Sequence, residues 1–442
     1  MRHQRPQPWL TFAALSLIFF LVNAGTFNAL GVVLPPMVGE LHWTWKLAGA
    51  GFTILGVACG LASFLPAVLI RRVGVRTVML LGGLLLMGGF AILALTRAGW
   101  SYLVATGLLG VGFALTSTVP GTHVLSGLFK RRATVLGAYF FVGALGGVAG
   151  PLVYVVLHGQ HLGWRVFWMV FLGAAALAGA FAAATTPGRQ AHEPPPAIPP
   201  EPLEPAKVIQ HLGDWTVRQA LKTWQYYVIV GAYSAYLLIN TTTHGFAVEH
   251  LTERGVDPGA AAGMLSLEAL VGAILALIGG IIGEKAPAKW LLIVALAATT
   301  AGMVGVAEAR DWTLMMVYVV GMGTGFGLSF LAAAMLLLEY FGKRANLELF
   351  SIMAVISTSA AAGPAFGGWA RDATGSFEGV FLLCAAVATA MLVGACFLAP
   401  PVIRGPREGR SAKARPKPGL GAESKGHLAR TDILPDILGG AG

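Results

Sequence analysis

Residues 193–205 read EPPPAIPPEPLEP, and this proline-rich stretch decides how the chain is organised. Proline has no backbone N–H and cannot continue a helix, so the stretch is predicted to be an extended linker. Six long apolar runs precede it and six follow it. Each run has about 20 residues, the length that crosses a hydrocarbon core of about 30 Å. The sequence therefore predicts an all-α membrane protein built from two six-helix halves.

Hydropathy windows of about 19 residues give the bounds of twelve predicted spans. The predicted spans lie near residues 10–34, 47–70, 76–96, 100–127, 133–157, 165–185, 225–248, 260–283, 289–308, 312–339, 346–370 and 378–399. The predicted domains are an N-terminal bundle at 1–185, a cytoplasmic linker at 186–224, a C-terminal bundle at 225–399 and a disordered cytoplasmic tail at 400–442. We expect the two bundles to be pseudo-symmetric.

Composition and charge agree with a membrane protein. Of the 442 residues, 56% are hydrophobic and only 11% are charged, whereas soluble domains carry about 25% charged residues. The net charge of +10 comes from short cationic clusters between apolar runs, so we expect no nucleic-acid partner. With the N-terminus inside, 24 Lys and Arg residues lie on the inner side and 6 on the outer side. This bias predicts a multi-pass protein of the cell (inner) membrane, with both termini cytoplasmic.

The motifs of several enzyme classes are missing. The sequence has no phosphate-binding Gly-x-x-x-x-Gly-Lys-Ser/Thr, no His-Glu-x-x-His and no nucleophile with a neighbouring base. Cys59, Cys384 and Cys396 fall inside apolar runs without metal-ligand spacing. We therefore predict no enzyme activity, no metal and no cofactor. A transporter driven by an ion or solute gradient fits best, and a non-transporting receptor of the same fold is the alternative.

Glu268 is the acidic residue that lies well inside a predicted span. An ionisable side chain near the bilayer centre costs at least about 2.5 kcal/mol, so it calls for an explanation. His244 follows Asn240 and three threonines in span seven, and it falls at a depth similar to that of Glu268 because spans seven and eight run in opposite directions. We predict that Glu268, His244 and Asn240 line a substrate or proton pathway; hydrogen bonding between helices is the alternative.

Polar and aromatic residues in the first half extend this candidate pathway. Asn28 in span one, His123 in span four and Tyr139 in span five could face a central cavity, as could Thr116 and Ser117. Packing and hydrogen bonds between helices are the competing interpretation.

Two short charged loops occupy matching places in the two halves. The first, residues 67–76, contains Arg71, Arg72, Gly74 and Arg76 between spans two and three. The second, residues 280–289, contains Glu284 and Lys285 between spans eight and nine.

These loops, together with Gly163-Trp164-Arg165 and Gly363-Pro364, resemble the major facilitator superfamily, and the resemblance covers all twelve spans. The family's first loop usually reads Gly-x-x-x-Asp-Arg-x-Gly-x-Arg, and here Arg71 stands in place of the Asp. The resemblance implies two bundles around a central cavity and a gating role for both loops. Alternatively, the loops are solvated turns whose charges only set the topology.

Within the superfamily, the chain is similar to the monocarboxylate transporter and oxalate/formate antiporter branch. The similar stretches are Pro35-Pro36 through Glu40 to Trp43, Leu128 to Arg132, Glu339 to Gly342 and Asp372 to Ser376. This resemblance implies a monomer in membrane lipid that carries a small organic anion such as a monocarboxylate by alternating access, with coupling to protons. The alternative is proton-driven export of hydrophobic compounds, which a partial glycine motif in span five (Gly137, Gly146, Gly150 and Pro151) and the sparse internal charge favour.

Overall fold

The computed structural model describes residues 8–129, 132–186, 215–283 and 286–401. These residues form α-helices joined by short turns, with one 3₁₀ turn at Thr358–Ala362 and no strand among them. The helices are α1 (Pro8–Gly25), α2 (Phe27–Leu41), α3 (Trp45–Ala62), α4 (Leu65–Val73), α5 (Val75–Leu95), α6 (Gly99–Thr116), α7 (Thr118–Leu128), α8 (Arg132–Gly159), α9 (Trp164–Thr185), α10 (Val217–Ala220), α11 (Trp224–Glu253), α12 (Pro258–Gly283), α13 (Ala288–Glu308), α14 (Trp312–Ser357), α15 (Gly363–Thr374) and α16 (Glu378–Cys396).

Eleven stretches of the described chain are long and apolar enough to cross a membrane. The remaining predicted span, span seven, is α11, whose 30 residues would reach about 45 Å. It is less apolar because it carries the run from Asn240 to His244, and several of these polar side chains are buried inside the protein. The prediction of an all-α membrane fold with twelve helices in two halves is confirmed.

Three spans of the N-terminal half are interrupted where the sequence predicts single helices. Span one consists of α1 and α2, which separate at Thr26 (φ −109°, ψ −102°). Span two consists of α3 and α4, which separate at residues 63–64. Span four consists of α6 and α7, which separate at Ser117 (φ −96°, ψ −119°). Pro120 is the third residue of α7, a position where its missing N–H costs no helical hydrogen bond. Span eleven begins in the second part of α14 and continues through the 3₁₀ turn into α15.

The helix ends define two sides of the molecule. We call the side that holds Pro8 and the end of α16 the proximal side, and the opposite side the distal side. On the proximal side Thr11 Oγ1 donates to the carbonyl of Thr185 at 2.9 Å, and Lys289 Nζ donates to the carbonyl of Leu398 at 2.6 Å. Each span crosses from one side to the other.

The two halves contact each other mainly through three pairs of helices: α2 with α11, α3 with α15 and α8 with α12. Their backbones approach closely toward the distal side. A Cβ atom on Gly31 would overlap the carbonyl oxygen of His244, and one on Gly49 would overlap that of Pro364. Glycine is required at such positions because any side chain would force the halves apart.

Four of the cations at the distal turns, Arg165, Arg254, Arg310 and Arg371, are paired in the structure, whereas the sequence suggests them only as topology signals. Arg165 pairs with Glu40 inside the N-terminal half, and Arg254 pairs with Glu378 inside the C-terminal half. A carboxylate also joins the two halves. Asp372 accepts hydrogen bonds from the backbone N–H groups of Trp45 (3.0 Å) and Lys46 (2.8 Å), at the N-terminus of α3.

Candidate functional site

Glu268 lies on α12 and is 1% exposed. Its Oε2 accepts a hydrogen bond of 2.6 Å from the hydroxyl of Tyr318 on α14, whereas its Oε1 has no hydrogen-bond partner among the described residues. The two helices approach closely here, because Gly323 of α14 packs against the backbone of Glu268. Burying a carboxyl group with one unpartnered oxygen is costly, so the group's surroundings call for a functional explanation.

A stripe of polar side chains on α11 faces this carboxyl group. Tyr236, Asn240 and His244 are four residues apart, a spacing that places side chains on one face of a helix. Tyr236 and His244 are both close enough to Glu268 to interact with it electrostatically. Asn240 lies between them on the same helix face, so it faces the same region. The Asn240 Oδ1 is buried without a partner among the described residues, and His244 Nδ1 lies 2.8 Å from the carbonyl oxygen of Asn240.

The carboxyl group sits directly behind the surface on which the halves meet. Two residues before it, Ser266 Oγ donates to the carbonyl of Val148 on α8 at 3.0 Å. One residue after it, Ala269 faces Gly147 of α8, where an added Cβ would stand 3.4 Å from the Ala269 side chain and 3.3 Å from Asn28 Nδ2. A movement between the halves therefore changes what surrounds Glu268.

In the N-terminal half, two of the candidate residues support the helix interruptions. The Asn28 amide donates to the carbonyl of Asn23 at 3.2 Å, which satisfies a carbonyl freed where α1 ends. The Tyr139 hydroxyl donates to the carbonyl of Ser117 at 3.0 Å, and its fully buried ring stacks on Phe19 at 4.8 Å. His123 occupies an exposed position on α7.

The first charged loop joins α4 to α5 on the proximal side. Arg71, Arg72 and Arg76 are exposed and form no ion pair within the described part of the chain. Gly74 adopts a φ of 83°, a conformation that glycine enters without strain. Glu284 and Lys285 of the second loop lie outside the described residues, as do positions 187–214 of the predicted linker and 402–442 of the predicted tail.

Tyr318 becomes a functional candidate only through its hydrogen bond to Glu268. Its sequence context is an apolar run, and the signal that could have identified it is its depth in span ten, near that of Glu268. Within the described residues, no group of three or more His, Cys, Asp or Glu side chains is placed to hold a metal ion.

Comparison with solved structures shows the same fold in membrane transporters. The nucleoside transporter NupG aligns over 88% of this chain and 98% of its own, with a TM-score of 0.68 and 12% identity. A bacterial homologue of the human lysosomal transporter Spinster, solved in an inward-facing and unoccupied conformation, aligns over 89% of this chain and 95% of its own, with a TM-score of 0.70 and 16% identity.

Comparison with known sequences also points to membrane transporters. The uncharacterised MFS-type transporter YfiU of Bacillus subtilis (strain 168) is 27% identical over 143 residues, which cover 31% of this chain and 27% of that relative. The sequence model of the Major Facilitator Superfamily matches residues 15–251 and 234–435. With nearly the whole chain matched and the helical fold shared with solved transporters, the chain belongs to the major facilitator superfamily and is a membrane transporter of small molecules rather than an enzyme.

Proposed function

We propose that the protein is a proton-coupled secondary transporter of a small organic solute, and that Glu268 carries the proton. The observation behind this is the state of the Glu268 carboxyl group, which is 1% exposed, hydrogen-bonded through one oxygen and unpartnered among the described residues through the other. A carboxyl group without a paired cation is better accommodated in a dry interior when it is neutral. When the halves separate and water enters, the same group can release its proton.

The helix contacts support alternating access. Toward the distal side the halves touch backbone to backbone, through Gly31 on His244 and Gly49 on Pro364. On the proximal side, α4 and α7 pack against α5 and α6 of their own half. Rocking of one half against the other can therefore open the distal contacts without unfolding either bundle.

Two substrate classes remain candidates. The branch resemblance supports a small organic anion such as a monocarboxylate, moved together with a proton. Export of hydrophobic compounds is favoured by a second observation. Lys and Arg within the described ranges stand at or near helix ends or, for Lys343 and Arg344, directly after the break of α14 at Gly342 (φ 73°), so the helix interiors offer neither to an anion. Labelled monocarboxylates, hydrophobic cations and nucleosides, each supplied to proteoliposomes with and without a pH gradient, separate these possibilities.

The decisive variant for proton coupling is Glu268→Gln, which keeps the size and hydrogen-bonding capacity of the side chain and removes its titration. We expect normal expression, loss of solute accumulation driven by a pH gradient, and retained exchange of solute at equal pH. His244→Gln should weaken the pH dependence less. Glu308→Gln, at the distal end of α13, is the matched control and should transport normally. Full pH-driven accumulation by Glu268→Gln would contradict the proposal.

We also propose that the protein is a monomer in the cell (inner) membrane with both termini and the linker in the cytoplasm, as the Lys and Arg distribution suggests. In a chain without its native cysteines, single cysteines at Gln4, Glu201 and Ser424 should be shielded from an impermeant reagent in intact cells. A cysteine at Gly255, in the turn between α11 and α12, should react. Labelling of any of the first three from outside would refute this orientation.

A further inference from the structure

A small cavity lies where α6 gives way to α7. Its volume is about 110 Å³, enough for a carboxylate group or a few water molecules. Cys59 and Ser63 line it from the side of α3, and Ser117, Thr118 and Val119 line it at the interruption of span four. The cavity is separate from the Glu268 cluster, since none of its lining residues belongs to the C-terminal half.

The N-terminus of α7 opens into this cavity. The helix has 11 residues, and its backbone N–H groups at Thr118 and Val119 have no hydrogen-bond acceptor among the described residues. The first N–H groups of a helix carry partial positive charge, and in membranes the ends of interrupted helices are used to hold anionic groups of solutes. Ser117 does not cap the helix with its side chain.

The Ser117 side chain gives an independent indication of a ligand. The residue is 2% exposed, it lines the cavity, and its hydroxyl forms no hydrogen bond with any described residue. Its carbonyl oxygen is already occupied by the hydroxyl of Tyr139. A hydroxyl in this nearly enclosed position has no acceptor among the described residues, so a group in the cavity that accepts its hydrogen bond would stabilise this arrangement.

The cavity offers hydrogen-bond donors and contains no acidic residue in its lining. We propose that it binds the carboxylate group of the transported solute, held by the N–H groups of Thr118 and Val119 and by the Ser117 hydroxyl. This inference rests on the proposed transport function and assigns its substrate class as an organic anion. It also explains how an anion could be held in an interior without Lys or Arg.

The two sites lie at different depths. Ser117 is eighteen residues from the distal start of α6, and Glu268 is ten residues from the distal start of α12. At 1.5 Å per residue these distances are about 27 Å and about 15 Å. The solute site and the proton site are therefore distinct, and each can be removed without removing the other.

Cys59 provides a test in the unaltered protein. The purified chain is alkylated with a small maleimide, and the reaction at each cysteine is followed by mass spectrometry, with buried Cys384 and exposed Cys396 as internal references. The probes are aliphatic, aromatic and 2-oxo monocarboxylates and oxalate, each compared with its neutral amide and with chloride at equal ionic strength. At least one carboxylate should slow alkylation of Cys59 severalfold, without affecting Cys396, and its amide should not.

A pair of variants makes the assignment specific. Ser117→Asp places a negative charge at the cavity, whereas Ser126→Asp places the same charge on α7 outside the cavity lining. Protection of Cys59 and carboxylate transport should be lost in Ser117→Asp and kept in Ser126→Asp. Glu268→Gln should keep protection while losing pH-driven accumulation, so failure of the proton proposal is distinguishable. Protection by no carboxylate, equal protection by amide or chloride, or full protection in Ser117→Asp would overturn the inference.

Discussion

The two halves of the molecule use the same kinds of polar side chain in different ways. In the N-terminal half, Asn28 and Tyr139 donate to backbone carbonyls next to helix interruptions. In the C-terminal half, Tyr318 donates to the carboxyl group of Glu268, and Asn240 Oδ1 has no partner in the described chain. The comparison teaches that the helix interruptions engage the neighbouring Asn28 and Tyr139 side chains with backbone carbonyls, whereas the continuous helix α11 leaves the Asn240 amide oxygen without a partner in the described chain, on the helix face that is turned toward Glu268.

The largest effect is expected where the halves touch. Gly31→Ala places a methyl group on the carbonyl oxygen of His244, so distal contact between α2 and α11 cannot form. Transport should fall at least about tenfold, the result of destabilising one transport state by about 1.4 kcal/mol or more. Gly39→Ala on the same helix, where an added Cβ meets no atom within 4 Å, is the control and should transport normally. Vesicle uptake measures both, and equal rates would show that this contact does not form during transport.

Two tyrosine variants compare the halves directly. Tyr318→Phe removes the hydrogen bond to Glu268, so the pH at half-maximal transport should move and the rate should fall about tenfold. Tyr139→Phe removes the hydrogen bond to the Ser117 carbonyl, so it should lower the free energy of unfolding by about 1 kcal/mol and leave the pH profile unchanged. Thermal unfolding and pH-dependent uptake are measured for both variants. A shifted pH profile in Tyr139→Phe alone would reverse the roles assigned to the halves.

Two asparagine variants, one in each half, compare the halves by their effect on the free energy of unfolding. Asn28→Ala leaves the Asn23 carbonyl without its side-chain donor, and the free energy of unfolding should fall by about 1–2 kcal/mol. Asn240→Ala removes an amide oxygen that has no partner in the described chain, so the loss should be smaller. Melting temperatures in one detergent give the order, and a larger loss in Asn240→Ala would mean that its amide is bound after all.

The smallest effect is expected at the distal carboxylate between the halves. Asp372→Asn weakens a charged contact with the N-terminus of α3 that is worth about 0.3–1 kcal/mol. The reactivity of a single cysteine introduced at the distal contact between the halves should therefore rise by about two- to fivefold. Asp257 makes the same kind of contact inside one half, with the N–H of Ala260, so Asp257→Asn should leave that reactivity unchanged. Equal cysteine reactivity in both variants would show that Asp372 does not contribute to closing the distal side.

Sequence alone predicts the architecture and one member of the candidate site. Apolar runs of membrane length predict the spans because the bilayer constrains every residue within them, and Glu268 stands out because an acid in such a run is costly. The hydrogen bond from Tyr318 could not be derived, since this residue lies 50 positions away and reaches the carboxyl group through the close packing of α12 on α14.

The helix interruptions were also beyond the sequence prediction. Ser117 is neither proline nor glycine, and the nearest signal, Pro120, is compatible with an unbroken span whose lost hydrogen bond is supplied by neighbours. The role of Asn28 depends on the same feature, because a carbonyl is available to its amide only where α1 ends. Local sequence does not reveal which backbone groups the tertiary structure leaves free.

The polar stripe of α11 also affects how the chain is inserted into the membrane during its synthesis. Cellular insertion machinery admits segments into the bilayer according to their apolarity. Of the twelve predicted spans, α11 is the one that is not apolar enough to be recognised as a membrane span by composition. It packs against α2 of the first half and against helices synthesised after it, among them α12, α14 and α16. A ribosome that stalls after α11 would therefore leave this segment without the later helices that complete the surroundings of its buried polar side chains.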